Sequence, residues 1–481
     1  MAARSSRCWS RTDGRVLIVK GWQQHAAGPG LSSPAGADRY ARQRIIEGFD
    51  QGRVTALRVA VVGAGAIGNE VVKNLVLLGV GEIRVFDFDT VERHNLTRSV
   101  LLRESDVGQP KAQCVAARAA ELDPAVRVLA VPGDIADTLR PSLLLDLDLV
   151  IAAVDNFEAR IRINQLCLLT GTPWVNAAID SRNVGVDVFP FGGAPPAEGG
   201  DAGGVAYGAA DAAPAADAAS DGADAAADVA GTAAAPSADD APACYECMLP
   251  ESVYQRLAER RSCGGLRRAA AREQLIPTTA ITASLAGAAA VAEGLRITGC
   301  DRRAAGATTT SAPAAERLFS DALTGRGSRL RVARSPMCAG CGLTPRSVRW
   351  LGPVRSAAAA AQLLAGRVTP DEPVMLSDAL IWRCECRRCG RLPQIIADEG
   401  RRAASVTDRL AICPQCGATS VAIDIRDGCT LAELCERFGD APLPLAWLRC
   451  GEHHVELVPV HPAPGAGTEG EQALHDPRRN A

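Results

Sequence analysis

Aromatic residues are scarce in this chain: Phe, Trp and Tyr make up 4% of its 481 residues. Its core must therefore be aliphatic, and a hydrophobic content of 47% is ample for one. Ala, Gly and Arg are abundant instead, a compositional bias rather than a sign of disorder. An excess of one charge is also missing. The 52 Lys and Arg against 55 Asp and Glu leave a net charge of −3, which argues against a general polyanion binder. No apolar run reaches the length of a membrane span without interruption. Arg4 and Arg7 stand near the N-terminus, but no apolar segment follows them, so no secretory signal is visible. Cysteine, by contrast, is plentiful: 17 residues, largely in C-x-x-C pairs. Such pairs in a chain without secretory features read as metal sites rather than a disulfide framework, and the expected compartment is the cytoplasm.

The densest information lies between residues 59 and 111. A buried-strand run, Val59-Ala60-Val61-Val62, leads into Gly63, Gly65 and Gly68 in G-x-G-x-x-G spacing. A helix over 69–78 and a second strand over 83–88 follow, the strand closing on Asp87 and Asp89. The glycines let backbone amides approach phosphates at a helix N-terminus, and an acid about twenty residues on can hold a ribose. By itself this motif fits any dinucleotide enzyme. Asn95 and Arg98, then Lys111, add an amide and two cations just beyond the ribose acid. Two positive charges at a phosphate-binding turn suit a triphosphate. Lys111 also follows Pro110 at a helix start, where a lysine opposes the helix dipole unless an anion is bound there.

Seven fragments carry a resemblance to the ThiF/MoeB/ubiquitin-activating superfamily of adenylating enzymes. They are RYARQ (39–43), GAGAIG (63–68), DFD (87–89), NLTR (95–98), GQPK (108–111), VDN (154–156) and CYEC (244–247), in the family's order. The likeness covers roughly residues 39–299 and resumes at Cys338 and Cys341. It implies a Rossmann-like, doubly wound, mostly parallel α/β sheet of ThiF type with structural zinc knuckles; the cysteine spacing beyond residue 382 adds a small C-terminal zinc-ribbon module. It also implies ATP-dependent adenylation of the C-terminal glycine of a ubiquitin-like or sulfur-carrier protein ending in Gly-Gly, with Mg2+ bound and pyrophosphate released. Arg42 then matches an arginine finger that reaches the γ-phosphate from a partner subunit, which implies a homodimer. Asp87 suits the ribose, Asp155 the magnesium, and Asn95, Arg98 and Lys111 the phosphates, with Asp89 and Asn156 beside them. Cys263 in RRSCGG stands where ubiquitin-activating relatives carry a thioester-forming cysteine. Arg260, Arg261, Arg267 and Arg268 nearby favour its thiolate. A conjugating enzyme or a sulfurtransferase would be the next partner. Ala66 and Thr97 depart from the commoner glycine and glutamine at their places.

The chain divides as follows. Residues 1–38 form a leader with no strong pattern. Residues 39–349 form the adenylation domain, in which strands and helices alternate from 59 to 190. The strand over 149–154 ends at Asp155-Asn156, at the carboxyl edge where ligands bind. Residues 191–243 are almost wholly Ala, Gly, Asp and Pro with no Lys or Arg. They are expected to be a disordered acidic insertion, being too poor in apolar surface to offset ordering entropy. Helices are expected over 250–261 and 277–297; Glu293 and Arg296 interrupt the apolar face of the second, which favours a core or dimer helix over a membrane span. Residues 350–462 form a C-terminal module with a helix over 356–365, a cysteine-rich stretch over 382–416, a strand, a turn at Asp427-Gly428, a short helix and a last strand over 455–460. Residues 463–481 are a tail.

Cys244, Cys247, Cys338 and Cys341 make one candidate tetrathiolate, Cys386, Cys389, Cys413 and Cys416 another with zinc-ribbon spacing; Cys384 is an alternative ligand in the second. Both sets are closed and hence structural. Cys114, Cys167 and Cys300 read as core.

Other functions remain open at this level. Adenylation of a peptide or a tRNA base would use the same parts, though no large basic surface supports the latter. An NAD-dependent oxidoreductase would leave Arg42, Arg98, Lys111 and the cysteine pairs unused. A non-catalytic scaffold binding a ubiquitin-like protein would not need Arg42, Lys111 and Asp155.

Overall fold

The computed structural model describes residues 38–192, 243–260, 278–301, 314–341, 349–392, 399–403, 413, 415–417 and 421–458. The leader to residue 37, the acidic segment 193–242, Cys263 and the tail lie outside the described residues, as do the readings made of them.

Two short helices, α1 (Ala41–Arg44) and α2 (Gln51–Ala56), lead into β1 (Arg58–Val62). Then come α3 (Ala66–Leu78), β2 (Glu82–Asp87), α4 (Lys111–Leu122), β3 (Arg127–Pro132), α5 (Ile135–Thr138), α6 (Pro141–Leu144), β4 (Leu149–Ala152), α7 (Phe157–Thr170), β5 (Trp174–Asp180) and β6 (Asn183–Phe189). Beyond residue 243 follow α8 (Glu251–Arg260), α9 (Ala280–Ile297), β7 (Glu316–Asp321) and β8 (Gly327–Arg331). The eight strands form one sheet in the order β3-β2-β1-β4-β5-β6-β7-β8. The first five run parallel and the last three are added antiparallel.

Each residue of β1 from Val59 to Val62 is buried, as expected of a central strand covered on both faces. Alternation divides them. Val59 and Val61 join the apolar cluster with Val71 and Leu75 of α3 and Ala286 and Ala290 of α9. Ala60 and Val62 join the opposite cluster with Phe86, Ile163, Trp174 and Phe189. The few aromatics are spent on that second face: Trp174 stacks on Phe189 at 4.7 Å and meets the Tyr245 edge at 5.8 Å. Phe191 and Ala243, which flank the acidic segment, are buried in the same cluster. The apolar helix α9 meets the length and composition of a membrane span, yet Ala283, Ala286, Ala290 and Val291 are buried against α3 and the sheet. The β7–β8 hairpin has no counterpart in the sequence reading.

A second sheet is built from β9 (Arg349–Val354), β10 (Pro373–Cys386), β11 (Val421–Thr430), β12 (Trp447–Cys450) and β13 (His453–Leu457), in the order β11-β10-β12-β13-β9. Helices α10 (Ala357–Leu364) and α11 (Leu431–Phe438) cover it around Leu376, Leu380, Leu434, Leu448 and Val455. The expected turn at Asp427-Gly428 does not occur: β11 runs through it, with Gly428 opposite Met375. The register shifts between Gly428–Met375 and Arg426–Leu380, so the chain is irregular here but does not reverse. The two sheets join through Trp447 of β12, which packs against the Trp174 cluster, and through polar contacts. Arg162 pairs with Asp378 at 2.6 Å, Arg402 with Asp137 at 2.8 Å, and Ser142 gives hydrogen bonds of 2.7 and 3.1 Å to Glu456.

Candidate active site

The glycine turn leaves β1 at its carboxyl end and enters α3. Gly63 has φ +96°, and a Cβ there would lie 2.5 Å from the Ala153 carbonyl oxygen. A Cβ on Gly68 would lie 1.8 Å from the Gly63 carbonyl oxygen. Both positions thus demand glycine, the first for its backbone and the second for space. Gly65 caps α3 and has nothing within 4 Å of a would-be Cβ, which leaves open space at the helix N-terminus. Asn69, which sequence reasoning missed, holds this turn. Its Nδ2 donates to the Ala64 and Gly65 carbonyls at 2.7 and 2.9 Å, and its Oδ1 accepts from the Leu101 amide at 2.9 Å. Its place directly after Gly68, the last glycine of the turn, was the available signal in the sequence; in the structure it is fully buried.

Asp87 ends β2 beside that turn. Its carboxylate accepts from the Ala64 amide at 2.6 Å and the Asp89 amide at 2.8 Å. Burial pushes its pKa up, although both amides and Lys111 pull the other way. Lys111 opens α4, and its Nζ lies 2.7 Å from Asp89 with only 11% of the side chain exposed. The segments are zipped as well, with the Lys111 amide donating to the Asp89 carbonyl at 2.9 Å. Asp89 therefore supplies the anion that offsets Lys111 at the helix start.

Asn95 is buried, and its Oδ1 accepts from the Glu92 amide at 2.9 Å, closing a 3-10 turn over Arg93–Thr97. Its Nδ2 lies 3.1 Å from His94 Nε2. Arg98 donates to the His94 carbonyl at 2.6 Å. Asp155 is exposed just past β4, where one carboxylate oxygen accepts from Asn156 at 3.2 Å. Asn156 is the N-cap of α7, accepting from the Ala159 amide at 2.8 Å. Arg42 is exposed on α1, with no hydrogen bond or ion pair among the described residues. The structure thus gathers the glycine turn, Asp87, Asp89, Lys111 and Asp155 at the carboxyl ends of β1, β2 and β4, with Arg42 on a helix preceding the sheet. An exposed carboxylate at the carboxyl end of β4 is an oxygen donor that Mg2+ accepts together with nucleotide oxygens.

Both cysteine quartets are assembled, the sulfurs of each lying within 4.8 Å of one another. Cys244 and Cys338 are 3.5 Å apart, Cys247 and Cys341 3.4 Å, and Cys386 and Cys416 3.8 Å. Disulfides require about 2.05 Å. Tetrahedral zinc with bonds of about 2.3 Å sets its sulfurs about 3.8 Å apart, so both quartets fit that metal. The Cys389 amide points at the Cys386 sulfur at 3.4 Å and the Ser335 amide at the Cys247 sulfur at 3.5 Å. Cys384 is buried but outside the quartet. Glu246, between the first two ligands, was also missed. It is buried and accepts from Tyr254 at 3.0 Å, Asn164 at 3.2 Å and Gln165 at 3.4 Å, which fastens the first knuckle to α7 and α8.

The sequence model of the ThiF family matches residues 39–340, and the chain belongs to that family. Among curated relatives, the SAMP-activating enzyme E1 of Haloferax volcanii is 40% identical over 145 residues, 30% of this chain and 54% of that protein. The sulfur carrier protein adenylyltransferase of Thermus thermophilus is 41% identical over 157 residues, 32% of this chain and 57% of that protein. The chain thus spans little more than half the length of these relatives. Among solved structures, Escherichia coli MccB with ATP is similar at a TM-score of 0.40 and 20% identity, over 61% of this chain and 68% of that one.

Proposed function

We propose that this protein is an ATP-dependent adenylyltransferase that activates the C-terminal glycine of a ubiquitin-like or sulfur-carrier protein. The observation that carries this reading is the convergence of the glycine turn, Asp87, Lys111 and Asp155 at one sheet edge in a ThiF-family chain. The names of the two relatives, which act on SAMP and on a sulfur carrier protein, support the substrate class.

Amides at the start of α3 hold the phosphates, and the ionised Asp87 accepts the ribose hydroxyls. Lys111 exchanges Asp89 for phosphate oxygens, and Arg98 assists it. Arg42 enters from the second subunit of a homodimer. Mg2+, when bound at Asp155, neutralises phosphate charge. A carboxylate oxygen of the carrier attacks the α-phosphorus, the bond to the β-phosphate oxygen breaks, and pyrophosphate leaves. The mixed anhydride so formed is open to the Cys263 thiolate, which would form a thioester and release AMP, or to a sulfur donor.

Pyrophosphate–ATP exchange with Gly-Gly carrier proteins tests this. Carrier-dependent exchange that disappears in Lys111→Ala is expected. A reducible adduct absent from Cys263→Ala would add the thioester step. No ATP binding at all would sink the enzyme reading.

A further inference from the structure

Two ion pairs fasten the C-terminal sheet to the ThiF sheet. They are similarly shielded: one ends on Asp137 of α5, the other on Arg162 of α7, which also donates to α5 through the Ala136 carbonyl. Arg402 is 13% exposed and Asp137, on the one-turn helix α5, 21%. Arg162 is 14% exposed and Asp378 16%, and Arg162 belongs to α7. That helix starts directly after Asp155-Asn156, so the Arg162–Asp378 pair grips it roughly 8 Å along its axis from its first residue. Toward Asp155, Arg160 in the first turns of α7 donates to the Val154 carbonyl at 2.6 Å, which ties the helix to the residue before Asp155. The second guanidinium nitrogen of Arg162 donates to the Ala136 carbonyl of α5 at 2.9 Å.

The other end of the pair is equally specific. Asp378 lies where the β10–β11 register breaks between Met375 and Leu380, an irregularity of the kind that re-aims a side chain. Ser377 donates to Asp378 at 3.0 Å and accepts from the Ala446 amide at 3.0 Å, so the carboxylate is itself held. Arg162 keeps its charge at any physiological pH. Without Asp378, a nearly buried guanidinium would have to move toward water or toward another acid, and α7 would move with it.

We propose that the C-terminal module sets the position of Asp155 through α7, with Asp378 as a positioning residue for the metal–nucleotide half of the site. This rests on the reading of Asp155 as the carboxylate facing nucleotide-bound Mg2+. Adenylation and the state of the C-terminal module are then coupled: whatever binds or distorts β10 near Asp378 changes the affinity for Mg-ATP.

The test uses the full chain, with Asp378→Asn, the exchange Arg162→Asp with Asp378→Arg, and Asp137→Asn as a control on the other junction pair. ATP binding is measured by calorimetry with Mg2+ and with EDTA, beside the melting temperature. Asp378→Asn should weaken Mg-ATP binding roughly three- to tenfold and leave binding in EDTA unchanged. The exchange should recover at least half of that loss. Asp137→Asn should lower the melting temperature without moving either affinity. Equal effects of Asp378→Asn and Asp137→Asn on Mg-ATP, a change in Asp378→Asn confined to the melting temperature, or no recovery in the exchange would overturn the proposal. Absence of ATP binding by the unaltered chain would overturn the nucleotide reading itself, and this coupling with it.

Discussion

The two cysteine quartets have nearly the same local chemistry but sit in different surroundings. The first lies at the margin of an apolar cluster that already contains Trp174, Phe189, Ile163 and Leu166. The second supplies its own surroundings: among the described residues, Cys386 and Cys413 are two of the four buried members of its cluster, with Ile381 and Cys384. A metal in the first quartet clips a core that exists without it. A metal in the second replaces a core. The same ligand set can therefore be an accessory or a foundation, depending on the apolar area beside it.

The sharpest way to break this comparison is to remove each metal in turn. Cys386→Ser with Cys389→Ser should release one metal equivalent and unfold the end of the C-terminal module, since structural zinc supplies an apparent ~10–16 kcal/mol in small zinc domains. Metal analysis and limited proteolysis would show cleavage beyond residue 373 while the first sheet resists. Cys338→Ser with Cys341→Ser should release the other equivalent and leave the first sheet folded at a lower melting temperature. Global unfolding in both variants alike would end the distinction.

Core removal makes the reciprocal test. Trp174→Ala should cost the first sheet about 3–5 kcal/mol in denaturant titration, because the ring is fully buried against Phe189 and Tyr245. The second quartet should keep its metal in that variant.

Acid should separate the two regions next. His454 is buried between Trp350 and Trp447, and burial pushes its pKa down to about 4. A histidine lowered on folding contributes stability that is full above its unfolded pKa and is lost as pH falls through its folded one. The C-terminal module should therefore lose about 3 kcal/mol between roughly pH 6.5 and 4 by linkage. His454→Phe should flatten that part of the unfolding-versus-pH profile. An unchanged profile would assign the acid sensitivity elsewhere.

The smallest effects come from helix caps. Thr279 caps α9 in the first region and Thr430 caps α11 in the second, each through a reciprocal box. Alanine at either should cost about 1 kcal/mol. If the regions melt separately, Thr430→Ala should give the larger shift in melting temperature, since the C-terminal region is smaller.

Where the candidate site's residues fall in the fold was largely legible because the signals are local. The glycine spacing, the acid closing β2 and the carboxylate after β4 are each set by a few neighbouring residues. Asn95 shows what such reading leaves out: its oxygen holds the 3-10 turn by accepting from Glu92, a contact that orients its Nδ2 and that the fragment NLTR does not reveal. Asp89 shows the same limit, since its engagement with Lys111 depends on two segments 22 residues apart being zipped together. The β7–β8 hairpin escaped because its strands are short and exposed. The turn at Asp427-Gly428 was read from two residues whose behaviour β10 decides.

From the sequence alone came the parallel α/β class, the glycine-demanding turn and the four C-x-x-C pairs, since strand alternation, backbone freedom and ligand spacing act over a few residues. The grouping of those pairs into two quartets was anticipated as well, and Cys244 does meet Cys338 across 94 residues. Tertiary structure alone decided what surrounds them. It also decided that Glu246 is enclosed by α7 and α8, and that Asp378 reaches Arg162 across 216 positions. Those contacts carry no local signature. They exist only because burial brings distant elements together, and because a charge or amide left unpaired there would cost more than the order its partner requires.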